Sequence, residues 1–121
     1  HFGMGVLPYF PLANGLLTGK YRRDNIPAGS RLSHSKKNVL DAANWDQLEA
    51  FHSFCTERGI TEAQAAFSWL AQQSSVTSVI AGATSAEQVR ANAQAACLRF
   101  DAEDLAALDA IFPAPEKIAL F

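Results

Sequence analysis

A chain of 121 residues with 49% hydrophobic and 18% charged side chains has the make-up of one globular domain, neither collagen-like nor disordered. Ten basic residues against twelve acidic ones leave a formal net charge of -2, so no chain-wide basic field exists to attract nucleic acid, and any anion site must be local. Cys55 and Cys97 are too few for a disulfide framework and fit no zinc spacing. They read as packing thiols of a reducing, cytoplasmic compartment. No apolar run approaches membrane-spanning length, and no signal peptide is visible. The chain starts at His1 and reaches a strand pattern almost at once, so sequence upstream of it is expected.

Gly5 to Leu12 is apolar on both faces, as in a buried parallel strand, but Pro8 and Pro11 lack ladder donors and predict a short, bulged or edge strand. A polar stretch from about Arg22 to Ala43 has neither helical nor strand periodicity, and its length suggests a functional lid. Asn44 and Gln47 then form a capping-box pattern, and Leu48, Phe51, Phe54 and Cys55 follow at helical spacing up to Gly59. Thr61 and Gln64 open a second helix carrying Ala65, Ala66, Trp69 and Leu70. Val76 to Ala81 is β-branched and predicts a strand. Gly82 to Ser85 turns into a third helix with Val89, Ala93 and Ala96 on its apolar stripe. Leu98 to Phe100 fits a short strand. Asp101 caps a last helix with Leu105, Leu108 and Ile111, which Pro113 stops. Strands alternating with helices in this order imply parallel βα units and an α/β fold.

Two stretches could carry chemistry. The first, Pro11 to Tyr21, is a glycine-bearing turn at the end of the first strand. Its backbone N–H groups could face a phosphate, with Lys20 adding charge. An ordinary turn explains the same residues equally well. A triphosphate P-loop does not fit, because three residues rather than four separate Gly15 from Gly19 and Tyr21 replaces the metal-binding hydroxyl. Gly3 and Gly5 do not make a dinucleotide fingerprint, since Pro8 stands in the third glycine's place. In the second stretch, Ile80 to Asn92, local sequence favours plain capping of the helix by Ser85 and Gln88. The functional alternative uses the same free N–H groups for a phosphate or ribose, and Gln88 and Asn92, four apart, to read one ligand edge. Glu87 would then have to point away. Arg31 suits bidentate phosphate contact, though a lone loop arginine is more often solvated. His34 and His52 have no acidic or metal-ligating partner at plausible spacing and read as surface histidines. Tyr9 reads as core packing.

Taken together, Val6 to Tyr21, Ser30-Arg31, and Ser78 to Val89 with Asn92 resemble the aldo-keto reductases, especially the branch containing the potassium-channel β subunits. The resemblance covers nearly the whole chain. It implies a (β/α)8 TIM barrel, which takes about 250 residues. Residues 1–121 would be its C-terminal half, from the sixth strand to the C-terminal helix, with parallel strands and flanking helices. It further implies an NADP(H) site. Tyr9 would stack on the nicotinamide, and Pro11, Leu12, Asn14 and Lys20 would hold the diphosphate. Arg31, Gly82, Thr84, Gln88 and Asn92 would meet the 2′-phosphate and adenine. Phe10 stands where many members have serine, and Ala91 where many have glutamate.

The family's catalytic Asp, Tyr, Lys and His belong to the first half of the barrel, and no residue here matches them. The resemblance therefore implies an oxidoreductase that reduces an aldehyde or ketone by hydride transfer, with this chain supplying cofactor binding and being inactive alone. The alternatives are a non-catalytic NADP-binding regulatory subunit and an interaction half-domain of the same fold. Self-association through exposed barrel edges is expected, with no nucleic-acid or membrane partner.

Overall fold

The computed structural model describes residues 3–115. A pair of tight 3-10 turns spans Ala13–Thr18, and six helices follow: α1 (Arg31–His34), α2 (Lys37–Asp41), α3 (Trp45–Glu57), α4 (Glu62–Gln72), α5 (Ala86–Ala95) and α6 (Ala102–Ile111). No helix among the described residues is long and apolar enough to cross a membrane.

The capping chemistry shapes the helices as expected. Thr61 and Gln64 exchange both bonds of a capping box, Thr61 N–H to Gln64 Oε1 at 2.9 Å and Gln64 N–H to Thr61 Oγ1 at 3.1 Å. Asn44 and Asp101 each accept one N–H, from Gln47 and Asp104. At the end of α3, Gly59 takes φ 64°. Its N–H donates to Thr56 O, and that of Ile60 to Cys55 O, a Schellman closure that turns Ile60 back onto the core.

That core lies between α3, α4 and α6. Phe51, Phe54, Cys55, Ala65, Phe100 and Leu108 are buried together, with Leu17, Ile60, Trp69, Leu98, Leu105 and Ile111 packed around them. Phe54 meets Phe100 edge-on at 5.8 Å. The Arg58 guanidinium lies 3.7 Å from the Phe54 ring centroid while bonding Asp104 at 2.6 Å, which ties α3 to α6.

The expected strands do not form as ladders. Among the described residues Val6 and Val76 make an isolated parallel bridge, with Val6 N–H to Ser75 O at 2.7 Å and Thr77 N–H to Val6 O at 2.9 Å. The next bond runs from Ile80 N–H to Pro8 O, at 3.2 Å. Regular pairing would advance both segments by two residues, but one side has moved three, so a residue is bulged out. Pro8 and Pro11 add no donors, and pairing stops. Leu98 to Phe100 is not a strand either. The Gln72 side chain takes both backbone groups of Phe100, accepting its N–H at 2.8 Å and donating to its carbonyl at 3.0 Å.

Three further expectations change. The stretch from Arg22 to Ala43 is not featureless, for it holds α1 and α2, anchored by the fully buried Leu32. The expected stripe is exposed: Val89 and Ala93 on α5, and Ala96, which caps its C-terminal end. This helix meets α4 through buried Ala95, whose carbonyl accepts the buried Ser68 hydroxyl. Cys97 is exposed, while Cys55 is buried.

His52 is not an unpartnered surface histidine. Its Nδ1 lies 2.7 Å from Glu62 Oε1 and 2.7 Å from Arg22 Nη2, and Arg22 Nη2 donates to the same carboxylate oxygen at 3.0 Å. Nδ1 can donate to Glu62 or accept from Arg22, so the tautomer selects between two hydrogen-bond arrangements of one cluster. Glu62 is only 8% exposed. Burial disfavours its charge, but the helix N-terminal N–H, His52 and Arg22 outweigh that and hold its carboxyl below the ordinary value.

Two outcomes follow from this packing. Glu62 has a depressed folded pKa, so its contribution to stability is complete above the ordinary carboxylate range and is lost as pH falls through the folded value. Urea unfolding of Glu62→Gln at pH 7 is expected to show a loss of roughly 1–3 kcal/mol, shrinking in more acidic buffer; a loss that stays constant down to pH 2 contradicts this. The second concerns the thiols. Burial, with the Glu62 charge nearby, pushes Cys55 up to about 12. A thiol reagent at pH 8 should modify Cys97 in the native chain and reach Cys55 only on unfolding, as peptide mass mapping would show.

Candidate functional site

The parallel run from Val6 to Pro8 beside Val76 to Ile80 sends both segments out at the same end. Tyr9 and the turn after it therefore leave the paired region alongside Gly82 and Thr84. The sequence separates these residues by about seventy positions.

The turn is conformationally unusual. Phe10, Ala13 and Asn14 take φ values of 55°, 49° and 60°, and Gly15 takes 100°. A non-glycine residue in the left-handed region costs of order 1 kcal/mol and persists only where its surroundings impose it. Here Ala13 N–H donates to Phe10 O, Gly15 N–H and Leu17 N–H both donate to Leu12 O, and the Thr18 hydroxyl closes on Gly15 O at 2.7 Å. The Leu12 carbonyl is thus used inside the turn. Pro11 is half-buried beside Leu17, Phe51 and Trp69 on the rim of an apolar groove of about 210 Å³.

Tyr9 is 72% exposed, so it is not a core residue; its ring lies tilted against Phe10 at 5.1 Å. Lys20 is exposed, with its ammonium 5.3 Å from the Tyr21 ring centroid. Tyr21 is buried, and its hydroxyl accepts the Leu32 N–H at 3.3 Å. This bond ties the turn to α1 and so fixes Arg31, the first residue of α1, relative to Lys20. Neither Lys20 nor Arg31 has a carboxylate partner among the described residues. Burial would raise the Tyr21 phenol, but the nearby Ser30 hydroxyl, the Leu32 N–H and Lys20 outweigh it and bring it below its ordinary value. Ser30 Oγ makes no hydrogen bond of good geometry, although it is buried.

The second group is joined by its own hydrogen bonds. Gln88 Oε1 accepts from Thr84 N–H at 2.6 Å and from Thr84 Oγ1 at 3.0 Å, and Asn92 Nδ2 donates to Gly82 O at 3.4 Å. Ser85 caps α5 by accepting the Gln88 N–H, but the Gln88 side chain passes over the N-cap to Thr84, so the expected capping box is half made. The bonding leaves Gln88 Nε2 as a donor and Asn92 Oδ1 as an acceptor on an exposed edge. A Cβ built on Gly82 would meet nothing within 4 Å, so the backbone there is open to close approach.

The ten residues expected to form a site therefore fall into two groups. Tyr9, Pro11, Leu12, Asn14, Lys20 and Arg31 belong to the turn and its anchor, and Gly82, Thr84, Gln88 and Asn92 to the start of α5. Sequence reasoning missed Glu62, Arg22 and His52, which are joined to one another with the Glu62 carboxylate close against Gly19. No local motif links positions 22, 52 and 62.

Several known proteins are similar to this chain in sequence. The chain is 41% identical over 115 residues to an L-glyceraldehyde 3-phosphate reductase of Escherichia coli O157:H7, an alignment covering 88% of the chain and 33% of that protein. It is 37% identical over 99 residues to a probable voltage-gated potassium channel subunit beta of Oryza sativa subsp. japonica, covering 78% and 30%. It is 38% identical over 96 residues to an NADH-specific methylglyoxal reductase of Escherichia coli K12, covering 77% and 29%. The chain thus spans about a third of the length of the curated relatives it matches. The model of the aldo/keto reductase family matches residues 1–112, and the chain belongs to that family.

Proposed function

We propose that this chain is the NADP(H)-binding part of an aldo-keto reductase that reduces an aldehyde or ketone to an alcohol. Family membership implies the (β/α)8 barrel and a nicotinamide cofactor. The observation that carries the finer reading is the Tyr21–Leu32 bond, which joins the turn bearing Lys20 to the helix bearing Arg31, two cations with no carboxylate partner among the described residues. Two exposed positive charges on anchored backbone suit a ligand with phosphates at two places, as a dinucleotide with an extra 2′-phosphate has.

The residues present fit such a ligand. The exposed Tyr9 ring offers a face on which a nicotinamide can stack. Lys20 and the Pro11–Asn14 turn offer charge and backbone to the diphosphate. Arg31, with the buried Ser30 hydroxyl next to it making no hydrogen bond of good geometry among the described residues, suits the 2′-phosphate. The free donor of Gln88 and acceptor of Asn92 match the donor–acceptor edge of adenine, and Gly82 lets the base approach the backbone. When bound, the cofactor supplies the hydride. This chain binds and orients it, and contributes no general acid of its own.

NADPH titrated into the chain, followed by tryptophan fluorescence and thermal shift, should bind at micromolar concentration. Arg31→Ala should weaken NADPH about tenfold or more while leaving NADH within about twofold. Equal affinity of the unaltered chain for NADPH and NADH overturns the preference for NADP(H). The rice relative, named as a channel subunit, supports a second reading in which the cofactor is bound without turnover. Steady-state carbonyl reduction by the complete polypeptide separates the two, and this chain alone should show none.

Self-association belongs to the same proposal. Met4, Val6, Leu7, Tyr9, Phe10 and Ile80 are all exposed along the paired segments. A continuous apolar edge of this kind seeks cover. Light scattering at micromolar concentration is expected to show a dimer or larger species, and a clean monomer contradicts it.

A further inference from the structure

We infer that Glu62 is a positioning residue for the Gly19–Lys20 turn and, through that turn, for the phosphate end of the dinucleotide site, an inference that rests on the cofactor reading above. Glu62 is the first residue of α4, a place where a carboxylate is ordinarily solvated and gains from the helix N-terminus alone. Here it is folded inward and buried. Its Oε1 takes Arg22 Nη2 and, with the matching tautomer, His52 Nδ1. Its carboxylate also packs on the backbone of Gly19. A Cβ built there would collide with all three carboxyl atoms, and Gly19 takes φ 83°. Glycine is therefore required twice at position 19, by the left-handed backbone and by the contact.

The carboxylate thus grips the chain on both sides of Lys20, through the Gly19 backbone before it and the Arg22 side chain after it. A Cβ built on Gly15 would lie 3.9 Å from Lys20 Cε, so the Lys20 stem runs beside the strained turn while its ammonium lies 5.3 Å from the Tyr21 ring centroid. Glu62 also occupies Arg22. A free guanidinium at position 22 would compete with Lys20 for the same phosphate from a different position. The clamp makes Lys20 the cation presented there.

The test uses two ligands on the complete polypeptide. NADPH engages the diphosphate turn, whereas adenosine 2′-monophosphate reaches only the groups assigned to Arg31, Gly82, Thr84, Gln88 and Asn92. Isothermal titration of Glu62→Gln should show NADPH weakened about tenfold, the worth of one charge-assisted hydrogen bond, with adenosine 2′-monophosphate changed less than about twofold. A merely structural role would weaken both alike. Arg22→Lys keeps the charge but loses the guanidinium fork, so it tests the same clamp with less risk to folding. The same selective loss, about threefold, is expected. Equal loss of both ligands, or loss of neither, overturns the role of Glu62 while leaving the cofactor reading intact. Failure of the unaltered protein to bind either ligand overturns both.

Discussion

A buried carboxylate with three neighbours organises this chain. Burying Glu62 costs desolvation energy that only good geometry can offset. The Arg22 guanidinium, the His52 ring and the backbone N–H of Glu62 at the start of α4 supply it. The result joins three parts distant in sequence: the turn after the first paired segment, the middle of α3 and the start of α4. The turn's geometry follows from that junction. Gly19 must be left-handed and bare, Tyr21 is drawn into the interior, and its hydroxyl then catches the N–H of Leu32 and fixes α1. Lys20 and Arg31 are left outside, with no carboxylate partner among the described residues, one on each side of that chain of contacts.

The two faces of the chain are unequally finished. Between α3, α4 and α6 the aromatic and aliphatic side chains meet in a buried cluster, and every helix there is capped. Along residues 4–10 and at Ile80 the large apolar side chains are exposed, and a lone bridge with one bulged bond holds the segments side by side. Parallel strands are ordinarily covered on both faces and flanked by further strands. The chain spans about a third of the length of the relatives it matches, and it belongs to a family that builds a closed barrel. The proposed cofactor groups lie where these two regions meet.

Hydrophobic periodicity made the helices legible. Phe51, Phe54, Cys55, Ala65 and Leu108 can be picked as core from spacing alone, because a helix repeats its buried face locally. Caps were legible for the same reason, since Thr61, Asn44 and Asp101 act within three residues. The α5 stripe misled. A helix whose one buried side chain is an alanine needs no apolar stripe, and Ala95 looks like any other alanine in the sequence.

What the sequence by itself determined, then, is whatever depends on neighbours a few positions apart: helix limits, caps, the glycine turn, and the family to which the ordered motifs belong. Tertiary structure alone decided the pairings across the chain. Tyr9 is exposed rather than packed, Gln72 replaces a strand at Phe100, and Cys97 faces solvent while Cys55 does not. Above all, His52 and Glu62 come together with Arg22, an arrangement no local spacing encodes. A buried charge takes whichever partner the packed helices bring within about 3 Å, and that distance exists only once α3 and α4 have docked.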